Sequence, residues 1–240
     1  METSFEKEFY LRTSDFDCRL DLHPSAVLDL FQDVAGEHAR ALGIGRDAML
    51  ENSLIWVIVR ARYRVLKTPR QFDRVRVKTW PLPPHRSIFQ REYLISAADG
   101  TPLVLGSSEW VVIHSERRRL MPVGDVYPIK EGFLEEHNFP DGFSRLHDFD
   151  AKDGTVTLTP AFTDLDVNGH VNNTKYANYI INTVLPDECE RIKEFEIEYH
   201  REVRGDAPLT LGLLRGDGLV DAKGVGPEGE RMFTARIVWE

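Results

Sequence analysis

The feature that most restricts what this chain can fold into is a pattern that occurs twice. Ser14-Asp15-Phe16-Asp17 and Thr163-Asp164-Leu165-Asp166 are near copies. Each stands just ahead of a helix-forming stretch, and each helix is followed by several strand-forming stretches. The order loop, helix, strands therefore repeats, and an internal duplication accounts for it. Chance similarity of two short Asp-rich loops is the alternative. The copies have not kept the same chemistry: the first has Arg19 and Asp21 where the second has Asn168 and His170.

In the first half, Phe9 to Arg12 reads as a short strand. Pro24-Ser25 then opens a helix with Val27, Leu28, Phe31, Val34, Ala35, His38 and Leu42 on one stripe, and Gly43 ends it. Leu54 to Val65, Phe72 to Trp80, Ser87 to Ala97 and Pro102 to His114 read as strands, the last two joined by a tight turn at Asp99-Gly100. In the second half, Thr157 to Phe162 reads as a strand. Tyr176, Ala177, Ile180, Ile181, Val184 and Leu185 recur at helical spacing, with Asn172 or Asn173 as N-cap and Pro186 as the stop. Strands follow over Glu194 to Val203, Leu209 to Leu214, Leu219 to Ala222 and Met232 to Trp239, with a hairpin turn at Gly226 to Gly229. Lys130 to Gly154 is acidic and poorly periodic, so it reads as a connection with one helical turn near Phe133 to His137. The division expected is 1–130, a linker over 131–154, and 155–240. The class is α+β. One helix wrapped by an antiparallel sheet leaves a sheet edge and apolar surface uncovered. Two such modules in tandem would pair, joining into one continuous sheet of roughly ten to twelve strands.

No apolar run reaches the ~18 residues of a membrane-spanning helix. The acidic N-terminal stretch has no apolar h-region, so a signal peptide is not expected. Cys18 and Cys189 are too few for a disulfide framework, and no Cys/His cluster has metal-ligand spacing. These features point to a reducing cytoplasm and to no metal. A net charge of −9 argues against general nucleic-acid binding. The charge is unevenly spread, however. From Arg60 to Arg91 there are ten basic residues against one acid, Asp73, so this segment carries +9 and the remainder −18. Arg117, Arg118 and Arg119 form a second basic cluster. Two readings stand: a solvated strand face, or a docking patch for an acidic partner.

The stretch from Thr163 to Leu185 is the densest in reactive side chains. Asp164, Asp166, Asn168, His170, Asn172 and Asn173 fall within ten positions. Such residues are also ordinary turn and capping residues. If the segment is extended, Asp166, Asn168 and His170 share one face. An acid, an amide and an imidazole would then precede a helix N-terminus, whose free N–H groups and positive dipole end suit a developing oxyanion.

The run D-L-D-V-N-G-H-V-N-N-T-K-Y closely resembles the signature of the acyl-acyl carrier protein thioesterases, which end fatty acid synthesis in plastids and some bacteria. In that family the Asp, Asn and His of this run are catalytic, and they match Asp166, Asn168 and His170. A second family motif, E-Y-R-R-E-C, resembles Glu198 to Val203, and its catalytic acid falls on Glu202. The family's Cys falls on Val203, a departure that matters only if a thiol is needed. The likeness extends over the first half, through Trp110 to Arg117-Arg118-Arg119-Leu120.

The resemblance implies a double hot-dog fold, with a degenerate N-terminal module and a catalytic C-terminal one. It implies hydrolysis of a fatty acyl-acyl carrier protein thioester without metal or cofactor, releasing free fatty acid. It also implies an acidic carrier-protein partner, for which Arg74, Arg76, Arg117, Arg118 and Arg119 are the docking candidates. An acyl slot is expected in the first half, lined by Val27, Phe31, Val34, Trp56, Ile58 and Trp110; plain core packing is the alternative for each. Glu202 presents a geometric difficulty. In strict alternation it lies on the strand face away from Phe195, Ile197 and Tyr199, unless a β-bulge near His200 or Arg201 re-aims it. Two other functions stay open: a hot-dog acyl-CoA thioesterase, and a non-catalytic acyl-group binding protein. Internal pairing of modules removes the need for a homodimer without forbidding one.

Overall fold

The computed structural model describes residues 3–184 and 191–239; the expected helix stop at Leu185-Pro186, and Cys189, lie outside the described residues. The chain forms two compact units, Met1–Leu22 with Val27–Gly142, and His23–Ala26 with Phe143–Glu240.

The first unit contains β1 (Phe5–Tyr10), α1 (Pro24–Ala41, whose first residues cluster with the second unit), α2 (Arg46–Glu51) and β2 (Leu54–Val65). It continues through β3 (Arg74–Pro81), β4 (Phe89–Ala97), β5 (Pro102–His114), β6 (Arg119–Leu120) and α3 (Val123–Val126). Its strands lie in the order β1-β3-β4-β5-β2, all antiparallel, with β6 added to β5. The second unit contains β7 (Thr155–Leu158), α4 (Lys175–Val184), β8 (Ile192–Tyr199), β9 (Leu209–Gly216), β10 (Leu219–Val225) and β11 (Arg231–Trp239). Its strands lie in the order β7-β9-β10-β11-β8. Both units thus run first, third, fourth, fifth, second. The repeat in the sequence is a repeat of topology.

Local chemistry sets the elements. Helix α1 stops where Gly43 takes φ +74°, which only glycine adopts without strain. The Gly43 N–H then reaches Arg40 O (3.0 Å), and the Ile44 N–H reaches Ala39 O (2.9 Å). Val27, Phe31 and Val34 face inward and are buried. The Phe31 ring stacks on Tyr93 at 4.3 Å, directly over Gly106, where a Cβ would lie 2.1 Å from that ring. His38 is buried on the same helix, its Nδ1 3.0 Å from Arg91 Nη1, which also donates to Thr79 Oγ1 (3.1 Å).

The neighbouring residue on β4, Glu92, is fully buried. It accepts hydrogen bonds from Ser107 Oγ (3.0 Å), Gln90 Nε2 (3.0 Å) and the Asn138 N–H (3.2 Å). Burial pushes its carboxyl up to about 7 against the pull of those bonds. The helical turn expected near Phe133 to His137 does not form. That segment is instead tied to the sheet: Trp80 Nε1 donates to Glu136 O (3.0 Å), and Asn138 Nδ2 donates to the Tyr93 and Gly106 carbonyls (both 2.8 Å).

In the second unit α4 buries Tyr176, Ala177, Tyr179, Ile180, Thr183 and Val184. The Tyr176 ring meets Tyr199 and Phe233 edge-on, at 5.5 and 5.3 Å. These contacts seat the helix on β8 and β11 and fix where its N-terminal turn stands.

Candidate active site

Residues 161–172 form a compact loop rather than the extended segment expected. A 3-10 turn at Phe162–Asp164 opens it, and Leu165 pairs with Val171 in an isolated antiparallel bridge. Between them the chain reverses: the Asp166 N–H donates to His170 O (2.8 Å) and the Gly169 N–H to Asp166 O (3.0 Å), with Gly169 at φ +76°. Asp166, Asn168 and His170 therefore do not line a strand face. They are gathered by the Asp166 carboxylate. Its Oδ1 accepts the backbone N–H groups of Asn168 (2.8 Å) and His170 (3.3 Å), and its Oδ2 accepts from Asn168 Nδ2 (3.2 Å).

Asp164 fastens the loop to α4. Its Oδ2 accepts from the Ala161 N–H and from the Tyr179 hydroxyl, both at 2.8 Å. Asn172 starts the helix as expected of an N-cap: its Oδ1 accepts from the N–H and the hydroxyl of Thr174, both at 3.0 Å. Regular helix begins at Lys175, and the Asn173 carbonyl accepts from the Tyr199 hydroxyl (3.0 Å).

Glu202 arrives by the bulge that its strand pattern required. β8 ends at Tyr199, short of the expected Val203. The N–H groups of His200 and Arg201 then both donate to the Met232 carbonyl, at 2.8 and 3.1 Å, two residues against one. The chain leaves the ladder and runs beside the loop: Val171 N–H donates to Val203 O (2.9 Å), and His170 pairs with Arg204. Gly205 allows this approach, since a Cβ there would lie 2.9 Å from Leu165. The Glu202 Oε2 thereby comes to 3.4 Å from His170 Nε2. The Glu202 side chain is 61% exposed and that of His170 26%, so water reaches the pair.

Two residues that serve this geometry are not evident as site residues in the sequence. Tyr176 belongs to the apolar stripe of α4, yet its hydroxyl accepts the Val203 N–H (3.1 Å). Burial first, then the charges of Glu202 and Asp166, push its phenol up to about 12, so it stays neutral. Tyr179 likewise combines a buried ring with its bond to Asp164. A tyrosine, rather than Phe or Leu, on a buried stripe is the available signal, because a buried hydroxyl needs a partner. Val203, where the resemblance has Cys, is buried and bonded through both backbone groups.

The six acyl-slot candidates separate into two groups. Val27, Phe31 and Val34 are buried on α1. Trp56 and Trp110 pack on a cluster of Leu42, Ile44, Met49, Phe89, Val112, Tyr127 and Ile129, and Ile58 is paired across the sheet with Trp110. Trp56 Nε1 donates to Ile44 O (2.9 Å) and Trp110 Nε1 to Ser108 Oγ (2.7 Å).

The docking candidates also separate. Arg74 pairs with Glu8 (2.5 Å); Arg76 pairs with Glu6 (3.9 Å) and donates to Ala98 O (3.0 Å). The acids come from β1, which lies alongside β3. Arg117, Arg118 and Arg119 are exposed at the β5–β6 turn, and no ion pair holds them among the described residues. Among the described residues no three His, Cys, Asp or Glu are placed to hold a metal ion, and no helix is long and apolar enough to cross a membrane.

Comparison with known proteins places this site. Residues 2–128 match the family described as Acyl-ACP thioesterase N-terminal domain, and residues 148–214 match the Acyl-ACP thioesterase C-terminal domain. An acyl-[acyl-carrier-protein] hydrolase of Cuphea viscosissima, named as chloroplastic, is 28% identical over 220 residues, covering 86% of this chain and 53% of its own length. The chain spans about half the length of such curated relatives. A crystal structure of an acyl-ACP thioesterase from Bacteroides thetaiotaomicron superposes with a TM-score of 0.86 at 22% identity, covering 99% of this chain and 98% of that one. The structure of the 12:0-ACP thioesterase from Umbellularia californica gives 0.85 at 26% identity, covering 100% and 98%. The fold is thus the α+β hot-dog arrangement of those enzymes, and the chain belongs to the acyl-ACP thioesterase family.

Proposed function

We propose that this chain hydrolyses the thioester of a fatty acyl-acyl carrier protein and releases the free fatty acid, ending chain elongation. The observation that carries the reading is the His170–Glu202 pair, 3.4 Å apart, open to water and set on a loop that the Asp166 carboxylate organises. Glu202 and His170 take the proton from an attacking water. A separation of 3.4 Å is long for a hydrogen bond and is of the kind that tightens when substrate is in place. Asn168 spends one amide N–H on Asp166, leaving the other for the thioester carbonyl. The Asp166 carboxylate is occupied by three N–H donors, so its part is to position Asn168 and His170. Val203 occupies a packing position, which makes a thiol there unnecessary.

The acyl chain is taken by the first unit along the Val27–Phe31–Val34 side of α1 and the Trp56–Ile58–Trp110 surface. The partner's acidic surface is met by Arg117, Arg118 and Arg119; Arg74 and Arg76 contribute less, being paired already. The compartment we favour is a cytoplasm, on the low cysteine usage. Fractionation of the source cells distinguishes this from the chloroplast of the plant relative.

The direct test compares hydrolysis of matched carrier-protein and coenzyme A esters by the wild type and by Glu202→Gln. We expect a higher kcat/KM on the carrier-protein ester, and a loss of ~10²- to 10⁴-fold in kcat for the variant on both. Equal rates on the two esters would point to an acyl-CoA thioesterase, and undiminished turnover by the variant to a different catalytic group. Charge reversal at Arg117 to Arg119 should raise KM for the carrier-protein ester alone, by less as salt is added.

A further inference from the structure

The active loop carries two large apolar side chains that the protein leaves in water. Phe162, at the start of the 3-10 turn, is 86% exposed, and Val167, between Asp166 and Asn168, is 79% exposed. The turn itself does not require them. The matching loop of the first unit has the same 3-10 turn and the same bridge, at Thr13–Asp15 and Phe16–Leu22, but places Thr13 and Cys18 at the corresponding positions. Arg201 and Arg204 are exposed on the segment that runs beside this loop, with Arg204 paired directly across from His170. No ion pair holds either arginine among the described residues.

We propose that Phe162 and Val167, with Arg201 and Arg204, form a docking rim for an acidic protein that carries the acyl thioester on a flexible arm. This rests on the function proposed above. Any carrier delivering a thioester to His170 must come to rest over the loop that holds it. Two apolar side chains in a field of exposed arginine suit the edge of an acidic protein surface, where a few buried anchors dominate binding. A lipid surface is the less suitable occupant. Two apolar residues give little insertion, and Asp164 and Asp166 lie on the same loop.

The test measures direct binding of holo carrier protein, alongside kinetics on the acyl carrier-protein ester and on the acyl-pantetheine of the same chain. The proteins are the wild type, Phe162→Ser and Val167→Ser. Both side chains are exposed, so melting temperatures should stay unchanged. The rim predicts a Kd for carrier protein weaker by about tenfold in Phe162→Ser and severalfold in Val167→Ser. KM for the carrier-protein ester should rise in parallel, with acyl-pantetheine hydrolysis within about twofold of wild type. Unchanged carrier-protein binding in both variants would overturn the rim. So would loss of binding to vesicles of phosphatidylcholine and phosphatidylglycerol with carrier-protein binding intact, which would make the occupant a membrane. A wild type that binds carrier protein through these residues but does not cleave its ester would sustain the rim and refute the proposed hydrolysis.

Discussion

The turn at Asp17 and the turn at Asp166 are one structure built twice, with different side chains hung on it. In the first, Asp17 Oδ1 accepts the N–H groups of Arg19 (2.8 Å) and Asp21 (3.0 Å); in the second, Asp166 Oδ1 accepts those of Asn168 (2.8 Å) and His170 (3.3 Å). The Asp17 N–H reaches Asp21 O at 2.9 Å, as the Asp166 N–H reaches His170 O at 2.8 Å. Asp15 takes the Arg12 N–H as Asp164 takes the Ala161 N–H. The comparison separates scaffold from chemistry. Two aspartates per loop are demanded by the turn, since the copy without an Asn–His pair keeps both. What sets the second loop apart is the residue two positions on, the residue four positions on, and a bulge that brings Glu202 to meet it.

The largest expected difference is therefore between His170 and its counterpart Asp21. Replacing His170 by Ala should lower kcat by about 10³-fold. Replacing Asp21 by Ala should leave kcat within about twofold. Steady-state assays of the pair decide it, and a comparable loss in both variants would break the division between the loops.

A second contrast lies in how each unit treats a carboxylate. Glu202 stands largely in water, whereas Glu92 is fully buried and its carboxyl is pushed up to about 7. Below the ordinary carboxylate range Glu92 is protonated whether the chain is folded or not. Between 4.5 and about 7 the unfolded chain has lost a proton that the folded protein keeps, so folding stability falls as pH rises through that window. Above it the loss is complete, on the order of 3 kcal/mol. Urea unfolding at pH 5 and pH 8 should show this fall in the wild type and a flatter response in Glu92→Gln. Parallel slopes in the two proteins would mean that Glu92 is ionised in the fold.

Most of the architecture can be read from the chain, and the site only in part, for physical reasons. β2 and β5 match the residue runs Leu54 to Val65 and Pro102 to His114 because long β-branched and aromatic runs have few alternatives. The loop repeat is local, so it too is legible. The bulge is not, because it depends on the Met232 carbonyl from a strand some thirty residues away in the chain. Nor is the pairing of Arg74 and Arg76, which depends on β1 lying beside β3 with Glu6 and Glu8 in reach; the strand expected at Phe9 to Arg12 in fact spans Phe5–Tyr10. The extended face expected for residues 166 to 170 fails at Gly169, whose positive φ turns the chain back on itself.

The two organising aspartates make a more even pair. Asp166→Ala removes the acceptor of three hydrogen bonds and frees Asn168 and His170 together, so kcat should fall by about 10²-fold, with about 2 kcal/mol lost in stability. Asp17→Ala should lose a similar stability, measured by urea unfolding, and almost no activity. An Asp166→Ala enzyme that is destabilised but fully active would show that the turn holds without its carboxylate.

The smallest effect tests whether the turn itself is the conserved object. Position 20 corresponds to position 169, and both are left-handed: φ is +64° at Leu20 and +76° at Gly169. Leucine pays for that conformation through crowding at its Cβ, and it is 62% exposed besides, so it gains little from burial. Leu20→Gly should relieve ~1–2 kcal/mol of strain against ~0.5–1 kcal/mol of added chain entropy, a net stabilisation below about 1 kcal/mol. Gly169→Ala should be the mirror experiment. Open space surrounds the new Cβ, so the cost is conformational alone, about 1 kcal/mol, and kcat should fall only as far as the Asn168–His170 spacing shifts. Thermal melts of both variants provide the reading. Opposite signs would establish that the two loops share one backbone requirement, met by glycine in the working copy and endured by leucine in the copy that has lost its chemistry.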